Sequence, residues 1–576
     1  MNSFFLIIIG LSFLGLGYRF YASYISTKIY SLQDFSGEVP SKEFEDGIDF
    51  VPTKKVILFG HHFTSIAGAA PIIGPCIAAF WGWLPAMLWI VFGAIFMGAV
   101  HDFGALVISV REKGKTIADI TGTIINKRVK IMFLIFVMML SWLVMAVFAM
   151  AISGLFIAIP TAVLPVNMEI IIAIIVGFLL YKKKVDSLIP SIIALVLLYI
   201  FVYMGSFLPI SFDSFGLDKS SQSNIWILLL FIYSGVASLL PVWLLLQPRD
   251  YINSHQLIVG LALIFLGIAI AQPVVQAPMI RESSDGAPSL FPLLFVTIAC
   301  GAISGFHGLI ASGTTSKQIS NIQDTKMIGY GSMLGEGTLA LASTIAAVAG
   351  ISLVTDCTLP SIGSVANLSW NIYYDTWAHA TTNKATAFVL GGGALIQSLG
   401  FSPILAQTIT AVLVISFAAT TLDTATRIQR FILGEVGEAI EFSLLKNRYV
   451  ATLIAILPAL ALTFWNIYDP LSGQSTKAGW ILWPIFGASN QMLAALTLMM
   501  LSIYFWKKDK PVLPLVIPFI LITITTLSAL VLNAHSFFRN NHFLLFVNSF
   551  LTLLIVWMIY EGWLVFKAGK FKKLSK

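Results

Sequence analysis

The sequence predicts an all-α polytopic membrane protein of about 15 transmembrane helices, arranged as a 5+5 inverted repeat with extra helices. Three observations carry this prediction. The chain of 576 residues is 58% hydrophobic and only 11% charged, where soluble domains carry about 25% charged residues; its mean hydropathy is +0.89. Apolar segments follow one another with short connections from end to end. Two of these segments, far apart, are interrupted in the same way by glycine, histidine and hydroxyl residues.

A helix needs roughly 20 apolar residues to cross the hydrocarbon layer. Runs of that kind lie near 3–21, 57–79, 83–109, 131–159, 168–181, 187–208, 225–246, 254–275, 289–313, 331–354, 402–424, 449–466, 480–505, 512–532 and 542–566, of which 168–181 is short. A further stretch, 385–398, carries Gly391, Gly392 and Gly393. Charge decides how it is counted. With fifteen crossings, the basic residues of the loop 110–130, Lys182 to Lys184, Arg249, Lys317, Lys326, Arg427, Arg430, Lys507, Lys508, Lys510 and the C-terminal tail all share one side. If 385–398 also crossed, these clusters would fall on opposite sides. The positive-inside rule therefore predicts the N-terminus outside and the C-terminus cytoplasmic. It makes 355–400 an extracytoplasmic loop with re-entrant or surface helices, and the acidic loop 22–56 cytoplasmic.

The first interrupted span then runs inside to outside and the second outside to inside, each opening a block of five. The predicted division is an N-terminal helix and cytoplasmic loop (1–56), a first five-helix repeat (57–208), two linking helices (209–288), a second, inverted repeat (289–505) with the loop 355–400, and two C-terminal helices with a basic tail (506–576). Phe4 to Leu16 lacks the basic flank and cleavage site of a signal peptide and reads as a retained helix.

The formal charge of +7 is scattered through short loops, so nucleic acid is not an expected partner; the lipid bilayer is. Cys76, Cys300 and Cys357 have no metal or redox spacing, and there is no G-x-S-x-G, H-E-x-x-H or P-loop. Neither enzyme activity, nor a metal, nor a cofactor is expected.

A helix that breaks its own hydrogen bonds at membrane depth must satisfy them with protein, water or a ligand. A matched pair of such breaks points to the binding site of a secondary transporter. The first break gives His61, His62, Ser65, Gly68, Ala69 and Ala70 as solute-binding candidates, with Pro71 removing one N–H. The second gives Ser304, Gly305, Phe306, His307 and Gly308. A half-helix starting at either break presents partial positive charge to a carboxylate, although glycines at such spacing also serve close helix packing. Acids inside spans are functional candidates by default: Glu336, with no cationic residue within two turns, and Asp102 are the proton-coupling candidates. Arg111 is an alternative ion-pair partner for Asp102, and Asp423 with Arg427 has the spacing of an intrahelical pair. Ser416, Thr420 and Thr421 form a hydroxyl cluster suited to a hard cation, or to ordinary bonding with the preceding turn. Asn490 and Gln491 need partners in hydrocarbon, as a gate or as a brace between helices.

These motifs resemble those of the carbon starvation protein A family. The resemblance runs through Gly60-His61-His62-Phe63, Ile66-Ala67-Gly68, Pro71 to Pro75, Asp102-Phe103, Ala299 to His307, Ser312 to Thr315, Gly329-Tyr330-Gly331 with Glu336, Thr420 to Arg427 and Leu482 to Gln491. It implies an inner-membrane uptake system with the leucine-transporter-like inverted repeat. The expected solute is pyruvate or a short peptide, taken up in response to carbon starvation with H+ or Na+ as coupling ion. It also implies a cation site joining the first and eighth core helices, here 57–79 and 402–424. A sensor that binds such a nutrient without moving it is the alternative.

Overall fold

A computed structural model describes residues 2–281, 288–359, 362–382, 384–469, 474–477 and 483–574. Leu482 and the first residues of the expected span 480–505 lie outside the described residues. Each of the fifteen expected segments contains helix among the described residues. Among the described residues, eleven helices of 18 residues or more are apolar enough to cross a membrane, and a bent pair makes a twelfth. The chain is thus an all-α polytopic membrane protein, with two small β-hairpins, Asp356–Leu359 with Gly363–Ala366 and Asn466–Asp469 with Gln474–Lys477, that the sequence reading did not anticipate.

In chain order the helices are α1 (Ser3–Asp34), the bent pair α2 (Lys55–Ala67) and α3 (Ala70–Trp81), α4 (Trp83–Arg111), α5 (Ile117–Ile124), α6 (Lys127–Ala158), α7 (Pro160–Lys182), α8 (Leu188–Gly205), α9 (Lys219–Leu239) and α10 (Leu246–Ala271). There follow α11 (Leu290–Thr297), α12 (Gly305–Gly313), α13 (Ser332–Val348), α14 (Thr386–Gln397), α15 (Pro403–Ala439), α16 (Arg448–Phe464), α17 (Trp483–Lys507), α18 (Leu513–Asn540) and α19 (His542–Leu574). Polar side chains mark several starts. Asn126 accepts from Val129 N–H at 2.9 Å and Asp218 from Ser220 N–H at 3.1 Å, each satisfying a donor that the first turn leaves open.

Three boundaries differ from expectation, because the helix continues through polar or charged residues at which the apolar run stops. α1 runs beyond residue 21 into the expected loop 22–56. α7 starts at Pro160, a favoured first-turn residue, and so is long enough to span although Asn167 and Glu169 interrupt its apolar run. α15 extends fifteen residues past the expected end at 424, because Asp423 and Arg427 are both buried in ion pairs. The stretch 385–398 becomes α14, twelve residues long and buried. At 1.5 Å per residue it reaches about 18 Å, too little to cross ~30 Å of hydrocarbon.

The two predicted breaks are present. α2 and α3 meet at an angle of 43°. Gly68 holds φ +51° there, and an added Cβ would lie 2.7 Å from Thr421 Oγ1. Glycine alone fits both demands. Between α11 and α12, residues 298–304 leave the helix, with Gly301 at φ +92°. Gly305 opens α12 against α17, where a Cβ would come within 2.4 Å of Ala494 N.

Around the breaks the packing is paired. α6 and α15 pack against each other, as do α9 and α16. α10 packs on α2 and α15, while α17 packs on α12 and α6. α3 packs against α13, and α12 against α4. Short helices α5 and α14 occupy matching places, after α4 and after α13.

Candidate functional site

The broken helices face each other across a small cavity. Ile66, Ala67 and Ala70 of the first break and Cys300, Ser304, Phe306 and His307 of the second form two walls. Val144 and Phe148 of α6, Thr421 of α15 and Phe486 and Asn490 of α17 close the rest. Four of the predicted solute-site residues (Ala70, Ser304, Phe306, His307) thus reach one cavity, together with Thr421 from the predicted cation cluster. Pro71 removes a donor from the first turn of α3, which has no side-chain cap. The Ala70 N–H therefore opens that turn without an intrahelical acceptor.

The start of α12 is served differently. Asn490 Oδ1 accepts from Phe306 N–H at 2.9 Å and from Ser304 Oγ at 3.2 Å, and its amide faces Cys300 Sγ at 3.4 Å. Asn490 is a cap supplied by another helix, and Gln491 beside it donates to Phe295 O at 2.7 Å. Both amides brace the second break. Asn490→Ala leaves a buried N–H and hydroxyl without their acceptor, at a cost of about 1–3 kcal/mol. A lowered thermal midpoint of the purified variant is the expected result, with Asn490→Asp milder because the acceptor survives.

Behind the cavity the titratable candidates form a chain. Asp102 Oδ1 meets His101 Nδ1 at 2.7 Å and Asp102 Oδ2 meets His307 Nδ1 at 2.8 Å. On its other side, His307 Nε2 lies 3.3 Å from Glu336 Oε2, within ion-pair range though not aligned as a hydrogen bond. All are buried. Arg111 is not the partner of Asp102: its guanidinium donates to the carbonyls of Tyr30 and Ser31 at 2.8 and 2.9 Å. Cys300, His307 and Glu336 also place ligand atoms within 4.8 Å of one another, a spacing that would admit a metal ion and that their separation in sequence hides.

The other predicted residues face elsewhere. His61 Nδ1 meets Asp250 Oδ2 at 2.7 Å, and Ser65 Oγ donates to the same oxygen at 3.1 Å. His62 Nδ1 meets Thr315 Oγ1 at 2.8 Å, so the adjacent histidines point apart. Gly308 packs on His101. The hydroxyls of α15 separate: Ser416 donates to Glu169 at 2.5 Å, Thr420 accepts from Asn253 at 3.2 Å, and Thr421 lies 3.5 Å from Ser65 O. They do not form one cluster.

An ion network that the sequence reading missed joins α2, α10 and α15. Arg249 binds Asp423 through two nitrogens at 2.6 and 3.0 Å, and Asp250 lies beside it at 3.4 Å. Tyr233 of α9 donates to Asp423 at 3.0 Å. The expected Asp423–Arg427 pair is absent among the described residues; Arg427 pairs with Asp49 at 3.3 Å. Arg249 had been counted as a loop charge because it precedes an apolar run by a few residues. The signal available was Asp250 beside it, since a doublet of opposite charges at a span edge can be buried as a unit. Glu169, the second residue of the expected span 168–181, was an acid inside a span that the sequence reading passed over.

Two broken helices enclosing a small, mostly apolar cavity with a few polar groups, within apolar spans, describe a multi-pass membrane transporter. Comparison with known proteins gives the family. The family model described as carbon starvation protein CstA matches residues 2–529, and the chain belongs to that family. The "Peptide transporter CstA" of Helicobacter pylori is 32% identical over 549 residues, covering 88% of this chain and 78% of the relative. The "Pyruvate/proton symporter BtsT" of Escherichia coli is 32% identical over 596 residues, covering 90% and 80%. The "Peptide transporter CstA" of Escherichia coli is 30% identical over 560 residues, covering 88% and 78%. These relatives are transporters, not enzymes. Among solved structures, a mutant of the Eremococcus coleocola manganese transporter aligns with TM-score 0.48 at 13% identity, covering 91% of this chain and 98% of that one.

Proposed function

We propose that this chain is a secondary active transporter that imports a small carboxylate-bearing nutrient, pyruvate or a short peptide, in symport with protons. The observation that carries this is the single cavity shared by both helix breaks. An uncapped half-helix start at Ala70 offers a donor and partial positive charge to a carboxylate. Phe148, Phe306 and Phe486 give the rest of the solute an apolar surround. The relatives named for peptide and for pyruvate–proton transport support the two solutes and the proton. Asp102, His307 and Glu336 supply a proton path from the cavity wall: an imidazole between two buried carboxylates passes a proton by taking it on one nitrogen and releasing it from the other.

The fold belongs to the same proposal. The paired packing supports a leucine-transporter-like inverted repeat, but with a different division from 57–208 plus linkers at 209–288. In the first repeat, α9 and α10 take the fourth and fifth places, and α7–α8 is an inserted hairpin. In the second, α16 and α17 take the matching places. With α11–α12, α13 and α16 crossing as well, inserting two helices leaves the opposed orientation of the repeats intact, with the N-terminus outside and the C-terminus in the cytoplasm. The two breaks with α4 and α13 would rock against the remainder. Thr421, meeting Ser65 O beside Gly68, favours sodium as a second reading for the coupling ion.

The test is uptake of labelled pyruvate and of a labelled dipeptide into proteoliposomes, under a proton gradient and then a sodium gradient, with a chelator keeping Cys300, His307 and Glu336 metal-free. Proton-driven accumulation of either solute is the expected result. Sodium-driven accumulation would replace the proton. Binding without flux under every gradient would make the protein a sensor and contradict the proposal.

A further inference from the structure

A second small cavity lies on three of the helices that line the first. Val137 of α6, Gly313 of α12 and Ile428 and Glu435 of α15 line it, with Thr116 at its edge. The first cavity touches these helices at Val144, His307 and Thr421. The shift is seven residues down α6, seven up α15 and six up α12, about 10 Å along each axis at 1.5 Å per residue. Because α6 runs opposite to the other two, all three shifts point to one end of the molecule, the cytoplasmic end in the orientation proposed above. On the opposite flank of α15 the way is closed by buried ion pairs, Arg249 with Asp423 and His61 with Asp250.

We propose that this second cavity is a release vestibule, a cytoplasmic-side stop for the transported carboxylate on a path between α6, α12 and α15; the inference rests on the transport reading. Its floor carries Glu435, whose carboxylate accepts from Thr116 Oγ1 at 3.0 Å. Lys317 sits just outside, over the ring of Phe431 at 4.8 Å. A solute with a free carboxylate is held less well beside Glu435 than at the start of α3, and it meets the cation of Lys317 as it leaves. The vestibule therefore favours release over rebinding.

Filling the vestibule tests this. In Gly313→Leu the new Cβ meets only Ile428 Cγ1, at 3.8 Å, an ordinary van der Waals contact, so the branch beyond it adds bulk at the cavity. Ile428→Trp fills the same space from α15. Gly434→Leu adds equal bulk where nothing lies within 4 Å and serves as the control. For the full-length protein in proteoliposomes, both filling variants are expected to lower the maximal rate of pyruvate or dipeptide uptake at least tenfold. Equilibrium binding of the same solute in detergent should stay within threefold of wild type, and the control should match wild type in both. Unchanged uptake in both filling variants, or binding lost in step with uptake, overturns the vestibule. A wild-type protein that neither binds nor moves either solute overturns the transport reading instead, and the vestibule with it.

Discussion

Glu336→Gln abolishes accumulation of solute against its gradient while leaving exchange of solute across the membrane intact. The expectation follows from what each mode of transport requires. Net symport returns an empty carrier, which must first shed the proton that entered with the solute. Exchange returns a loaded carrier and never needs that step. Glutamine keeps the size and polarity of Glu336 but cannot give up a proton. The side chain has room for the change: both carboxylate oxygens are buried without a hydrogen-bond partner, and its titratable neighbour is His307 at 3.3 Å. One pH unit across the membrane is worth about 1.4 kcal/mol per proton, or tenfold in concentration. Wild-type proteoliposomes should therefore approach tenfold accumulation for one coupled proton, and the variant should stop near equal concentrations. Accumulation in Glu336→Gln equal to wild type removes Glu336 from the coupling.

Asp423→Ala should be among the most destabilising single changes in the molecule. Arg249 is buried, and Asp423 is its bidentate partner. Deleting one member of a buried pair leaves an uncompensated charge, at about 3–5 kcal/mol. Asp250 remains near Arg249 but is already engaged by His61 and Ser65. The thermal midpoint of the purified protein should drop by several degrees. Replacing both partners with apolar residues, Arg249→Met with Asp423→Leu, should recover much of the loss, because a well-packed apolar pair avoids the desolvation of two charges. A single variant as stable as wild type would mean that the network is open to water in solution.

How much of this was legible in the sequence depends on the kind of signal. Apolar runs and glycine-proline interruptions are local, so the helices and both breaks could be placed from residues such as Gly68, Pro71 and Gly305. The number of full crossings was less legible, because α13 and α16, at seventeen residues each, sit at the lower limit for spanning hydrocarbon. Side-chain partners were least legible. Glu336 was singled out for having no cation nearby in sequence, and the structure places His307 beside it from another helix. The Asp423–Arg427 spacing suggested a local pair, but Arg249 reaches Asp423 from α10 with a planar two-nitrogen fork. Asn490 was read as a brace between helices. What it caps, the start of α12, could be seen only once α17 lay against the second break.

The central claim is that the solute sits between the two breaks. Its most direct test is a cryo-electron microscopy map of the purified protein with pyruvate or a dipeptide, compared with a map without either. The account predicts added density in the cavity, with its carboxylate end at Ala70 and its body against Phe148 and Phe306. Density at another place, or identical maps under conditions where binding is measured, would contradict it.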